Sequence, residues 1–306
     1  NEYSVSNLSS YFDNYGGEED WIELHNTGAS SVNIGGFYLS DKTTNPTKWE
    51  IPEGTVIPAY GYLVFWCSGR DEVSGNNYHT NFKLKQTRDT QEQIVFSDAS
   101  GSILEDVELQ KTQLEHSMGK SPNGSGDWKI FTVSTLGDVN IGGGYLAYAE
   151  TPIMDLEAGF YDGTQSLSIT TSEPNSSIYF TLNGTLPSDS STEYSAALTL
   201  SQTKIVKAVV VSDNPEILSS FISFNTYFIN ENHSLPVLST SADELTILLN
   251  GNQSLRPHGT IEYFDAEGTR KDAGYGEYNK HGQDSWQFPQ RSFDYIAEMK
   301  WDTMMQ

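Results

Sequence analysis

The residues that could do chemistry concentrate in the last third of the chain. In the run Lys280-His-Gly-Gln-Asp-Ser-Trp-Gln-Phe-Pro-Gln-Arg-Ser-Phe293, Arg291 could fork onto phosphate oxygens, and Lys280 could add a second positive charge. His281 or Asp284 could help bind a metal or position a hydroxyl. Phosphoryl transfer needs all of these together with metal-holding carboxylates, and ordinary kinase motifs are absent. The same run also reads as packing, with Trp286, Phe288 and Phe293 in a core and Pro289 setting a turn. Packing is the preferred reading of this stretch taken by itself. Arg291 and Lys280 remain the candidate phosphate-binding residues.

Other constellations are weaker. Gly119-Lys-Ser121 ends like a phosphate-binding loop, but that loop needs Gly where Leu114 stands and a helix where Pro122-Asn-Gly124 makes a turn. Asp13 with Gly16-Gly-Glu-Glu-Asp20 gathers oxygens that calcium could use, without the spacing of an EF-hand. Calcium is therefore the one cofactor considered, and none is assigned. The six His include no pair at the i, i+4 spacing of a helical zinc site, so no metal ligands are assigned. There is no Gly-x-Ser-x-Gly elbow, and no catalytic residue is named. Trp49, Trp66 and Trp128 are candidate ligand-contact aromatics, since flat rings match the apolar faces of sugars. Packing in a sandwich core is the commoner fate of Trp.

These residues must be held mainly by strands. Up to about residue 142, turn clusters such as Asn14-Tyr-Gly-Gly17, Gly35-Gly36 and Ser74-Gly-Asn-Asn77 separate short β-type runs, including Trp21–Leu24, Tyr62–Trp66 and Ile94–Phe96. Gly142-Gly-Gly144 reads as the start of a linker. From 151 to 230 the alternation is sharp: Leu167 and Ile169, then Ile178, Phe180 and Leu182, face one way, and polar neighbours face the other. From His233 the character changes. Leu235–Leu238 and Ile261–Phe264 read as strands. Ser241-Ala-Asp-Glu244 reads as a capping box ahead of a helix carrying Leu245, Leu248 and Leu249. The Gly/His/Asp-rich stretch from Phe264 to Arg291 reads as loop.

Composition narrows the function. Against 41 Asp+Glu stand 17 Lys+Arg, a net charge of −24 over 306 residues. Such a chain has no basic stripe for nucleic acid and no attraction to anionic lipid. No apolar run is long enough for a membrane span. The single Cys67 excludes an intramolecular disulfide and reads as a small buried hydrophobe. The start, Asn1-Glu2-Tyr3, reads as a product whose targeting segment has been removed.

Each segment carries a resemblance. The first, over 1–142, resembles a bacterial lamin-tail domain, through Asp20-Trp-Ile-Glu-Leu-His-Asn26, Ile34-Gly-Gly-Phe-Tyr-Leu-Ser-Asp41, Lys48-Trp49, Gly61-Tyr-Leu-Val64, His79-Thr-Asn-Phe-Lys-Leu84, Ser117-Met-Gly-Lys120 and Thr135-Leu-Gly137 in order. Where Leu136 stands that family usually has Pro. The segment 151–230 resembles the small sandwich appended to chitobiases, through Ile178-Tyr-Phe-Thr-Leu-Asn-Gly184, Pro187, Tyr194 and Val206-Lys-Ala208. The segment 233–306 resembles the N-terminal part of the CotH-like family of atypical secreted kinases, through Leu235-Pro-Val-Leu-Ser239, Ile261-Glu-Tyr-Phe264 and the Lys280–Phe293 run. The combined order is similar to that of surface proteins of Bacteroidetes-type bacteria.

The expectation is a mainly β protein: two immunoglobulin-like sandwiches, joined over 143–150, followed by a partial α+β segment. The resemblances imply an extracellular or cell-surface modular protein, non-catalytic over this stretch and serving adhesion, binding or display. Its partners would be a surface glycan or protein, or downstream domains of the same chain. One alternative is the targeting domains and partial N-lobe of an extracellular kinase. Another is a carbohydrate-binding accessory.

Overall fold

The computed structural model describes residues 1–8, 10–86, 92–282 and 291–298. Among them are 28 strands and one short helix, so the chain is mainly β, as the turn spacing and the aromatic and Thr-rich composition require. It divides into two units, Asn1–Leu146 and Ala147–Glu298.

In the first unit a seven-stranded sheet runs in the order Asp127–Phe131, Ser117–Ser121, Glu2–Ser4, Trp21–His25, Tyr62–Trp66, Asn77–His79, Glu72–Ser74. A second sheet holds Ile103–Glu108, Gln93–Ser97, Tyr38–Ser40 and Trp49–Glu50. Tyr3, Trp21, Ile22 and Phe65 from the first sheet, and Leu39 and Val95 from the second, are buried. Trp49 meets Phe65 edge-on across the two sheets, with ring centroids 5.9 Å apart. Cys67 is fully buried, and burial pushes its thiol well up, out of reactive range. The stretch expected as a linker is partly built in. Gly142, Gly143 and Gly144 take positive φ, and Tyr145 then pairs back onto Ile130.

In the second unit the central sheet runs Gly159–Tyr161, Ser223–Ile229, Lys204–Ser212, Ser176–Thr181, Thr192–Glu193. Leu167, Ile169, Ile178, Phe180, Val206, Ala208 and Val210 form its core, as the alternation dictates. The strand Lys204–Ser212 is nevertheless buried on both faces, because Lys207 and Val209 are covered as well.

Lys207 is covered from an antiparallel sheet of Val237–Ala242, His258–Phe264, Arg270–Lys280 and Phe293–Ala297, where Ser241 accepts from its ammonium. Two expectations are corrected here. The stretch read as loop contains the longest strand among the described residues, Arg270–Lys280. Its Gly276 is needed because an added Cβ would lie 2.0 Å from the carbonyl oxygen of Ile296 on the neighbouring strand. The capping box does not form. Ser241 belongs to a strand, where its Oγ lies 3.0 Å from the Thr260 hydroxyl, and the helix Leu245–Leu249 begins at Glu244 without a side-chain cap.

Candidate functional site

The three candidate tryptophans sit on three different strands. Trp49 and Trp66 are only 4% and 6% exposed, so they are core residues rather than ligand contacts. The Trp49 indole N–H donates to Asp71 over 3.0 Å. Trp128, half-buried, is already occupied: the Lys120 ammonium lies 5.1 Å from its ring centroid and Tyr3 packs 5.3 Å away. Lys120 is in turn paired with Glu105 at 2.6 Å. No shared aromatic platform results.

The acidic loop is equally committed. The buried Asp13 carboxylate accepts from the backbone N–H groups of Gly17 and Tyr15 and from the Arg70 guanidinium. Burial opposes its ionisation, but these donors outweigh it and hold the carboxyl below its ordinary range. Glu19 pairs with Lys83 at 3.0 Å. These carboxylates hold the loop to the sheet and are spent as calcium ligands. Among the described residues no cluster of three or more His, Cys, Asp or Glu is placed to hold a metal.

Beside this loop a Ser, a His and an Asn line up as in hydrolytic geometry. His79 Nε2 lies 2.7 Å from Asn14 Oδ1, which can only accept, so Nε2 carries the proton and Nδ1 accepts. Ser68 Oγ sits 3.0 Å from that Nδ1. The order Ser, His, Asn is that of a proton relay. Yet Ser68 and His79 are buried, and Ser68 Oγ also accepts from the Arg70 backbone N–H. A substrate carbonyl has no approach, and the trio fastens the loop to the sheet. Burial lowers the His79 pKa, against the opposing pull of Asp13. Sequence reading missed this trio because its members are brought together only by the packing of the loop on the sheet.

The phosphate candidates lie in the second unit. Lys280 ends its strand opposite Phe293, and Arg291 stands two residues before that partner, so strand register carries both to one end of the sheet. Arg291 engages another residue there. Asp284, Trp286, Phe288 and Pro289 lie outside the described residues.

A cleft in the second unit was not foreseen. A cleft of about 470 Å³ is lined by Glu157, Ala158, Gly159, Phe160, Tyr161, Gly268, Thr269 and Arg270. One wall is the edge strand Gly159–Tyr161. The other is the turn before Arg270–Lys280, tied by Asp265 Oδ1, which accepts from the N–H groups of Glu267 and Thr269 at 3.1 and 2.8 Å. Gly268 closes the walls together, since a Cβ there would lie 2.9 Å from the Phe160 ring. Arg270 Nη1 donates to Asn225 Oδ1 at 2.7 Å, to Glu262 Oε1 at 2.9 Å and to the Phe224 carbonyl at 3.3 Å. Nothing in the local sequence marks this cleft, because its walls are about a hundred residues apart in the chain.

Residues 7–111 match the Lamin Tail Domain family, and residues 156–221 match the chitobiase/beta-hexosaminidase C-terminal domain family. No curated protein matches the chain. The two matches, on a mainly β chain, fit a modular binding or structural protein.

Proposed function

We propose that the chain belongs to a secreted or cell-surface modular protein whose sandwiches bind or display at the cell exterior. The observation that supports this most is the succession of two β-sandwich modules in one acidic chain, the first similar to lamin tail domains and the second to the chitobiase C-terminal domain. The polar clusters of the first unit support it as well, because they are consumed in holding loops to sheets. The partner on this reading is a surface glycan or protein. The test has two parts. Antibody against the first unit is applied to intact and lysed source cells, and purified chain is applied to envelope material. Labelling of intact cells or of culture fluid, together with retention on the envelope, is expected. Signal from lysed cells alone would overturn the reading.

A second reading takes the segment from 233 as the front of a CotH-like extracellular kinase. What favours it is the antiparallel sheet that carries Lys280 at the end of its longest strand, with Arg291 just ahead of the next strand. Photo-crosslinking with an azido-ATP, made on a chain that includes the native downstream sequence, tests it. Labelling lost in Arg291→Ala supports it, and no labelling rejects it.

A further inference from the structure

We propose that the cleft between the edge strand Gly159–Tyr161 and the turn carrying Gly268, Thr269 and Arg270 is a binding site for a neutral saccharide. The inference deepens the binding reading above and rests on it.

The size fits: about 470 Å³ falls within the roughly 300–1,000 Å³ of small-molecule sites. The walls are fixed before any ligand arrives. The Phe160 ring is stacked on Phe228 at 4.3 Å, and the facing turn is held by Asp265. A preformed cleft spares a weak ligand the entropy of ordering it.

The lining then selects the ligand. Arg270 is half-exposed, and every side-chain hydrogen bond it makes to the described residues leaves from Nη1. A guanidinium has five N–H donors in a fixed plane, so an anchored edge leaves a donor edge of defined direction. Glu157 adds an exposed carboxylate acceptor, and Thr269 adds an exposed hydroxyl. Phe160 and Tyr161 supply apolar edges. The Tyr161 hydroxyl is turned away to the Glu157 carbonyl, 2.7 Å distant.

Donors, an acceptor and an aromatic edge together match a polyhydroxyl ring, whose hydroxyls both give and take hydrogen bonds and whose C–H face is apolar. An anionic ligand is disfavoured twice, by the net charge of −24 and by Glu157 at the site itself. An apolar ligand would strand the guanidinium and the carboxylate.

The experiment is an amide chemical-shift titration of the whole chain. The probes are glucose, mannose, N-acetylglucosamine, cellobiose and xylobiose, with glucuronate as the anionic comparison, each up to roughly 10 mM, a range that reaches weak millimolar binding. Arg270 is left intact because it also anchors Glu262. Thr269→Trp, which fills the cleft from an exposed position, and Glu157→Gln, which removes the acceptor charge, are the variants. At least one neutral sugar is expected to move the amides of 157–161 and 268–270. Thr269→Trp should abolish the effect with thermal stability unchanged, and Glu157→Gln should weaken it about tenfold. No response to any neutral sugar, a response to glucuronate alone, or binding unaltered in Thr269→Trp would overturn the site. Envelope retention without any sugar response removes this site and leaves the display reading standing. A sugar response without envelope retention keeps the site and removes the display reading.

Discussion

The ammonium of Lys207, wholly buried, donates to the main-chain carbonyl oxygen of Ser241 across 3.2 Å. Lys207 belongs to the central sheet of the second unit and Ser241 to the sheet that covers it. Their contact marks where the outer face of a sandwich strand became an interior. Nearby, Thr226 donates to Glu262, and Arg270 bridges Glu262 to Asn225. The junction is thus polar and satisfied by specific partners.

Lys207 should make the second unit more stable as pH rises. Burial pushes its pKa down to about 8, against the opposing pull of Asp243 and Glu262, from an ordinary value of 10.5. Between those values the unfolded chain binds the extra proton, so stability climbs with pH, by up to about 3 kcal/mol. Lys207→Met should remove that slope and be more stable than the parent at pH 7 by about 1–3 kcal/mol. Urea midpoints of both proteins at pH 7 and pH 10 check this.

In the first unit two buried carboxyls are opposed by a half-buried imidazole. Burial raises Glu23 to about 7, with the hydrogen bonds from Asn1 and Gly137 resisting, so its contribution is full below pH 4.5 and is lost as pH rises to 7. Glu2, paired with it across the strands and raised by the same burial, acts in the same direction. Burial lowers His116 to about 4, so its contribution is full above pH 6.5 and is lost as pH falls to 4. The intact unit should therefore show a shallow pH profile. Glu23→Gln should steepen the loss on acidification, and His116→Gln should make stability fall as pH rises. Thermal melts at pH 4.5 and pH 7 decide it.

Arg70→Met should destabilise the first unit by about 2 kcal/mol, because it leaves the buried Asp13 carboxylate without its guanidinium, while the partly exposed Arg70 limits the loss. The double variant with Asp13→Asn should recover part of this. Denaturant titration of the full cycle measures the coupling.

Gly276→Ala should cost about 3 kcal/mol or more, since its methyl would meet the Ile296 carbonyl at 2.0 Å and force two strands apart. Gly274→Ala, on the same strand, would meet the Tyr295 ring at 3.5 Å, ordinary contact, and should be nearly neutral. Limited proteolysis should cut ahead of Phe293–Ala297 in the first variant and spare the second.

The sequence by itself determined the local order. Turn clusters and short aromatic runs specified strands, and alternation at Leu167, Ile169, Ile178 and Phe180 specified which face is apolar. Ordered motifs placed a lamin-tail-like stretch and a chitobiase-like stretch, and the matches at 7–111 and 156–221 fall within them. The apolar surroundings of Cys67 foretold its burial. Tertiary structure decided what alternation cannot express. A period of two names the face that must leave water, and it is silent on whether the polar face is later covered. Lys207 is buried by residues far along the chain, where the Ser241 carbonyl accepts from its ammonium. The strand Arg270–Lys280, polar and glycine-bearing, has no apolar period to read. It exists because its neighbours supply hydrogen-bonding edges on both sides and Gly276 lets them close in. The cleft at Arg270 follows from the same cause, since long-range packing brings an edge strand and a turn together.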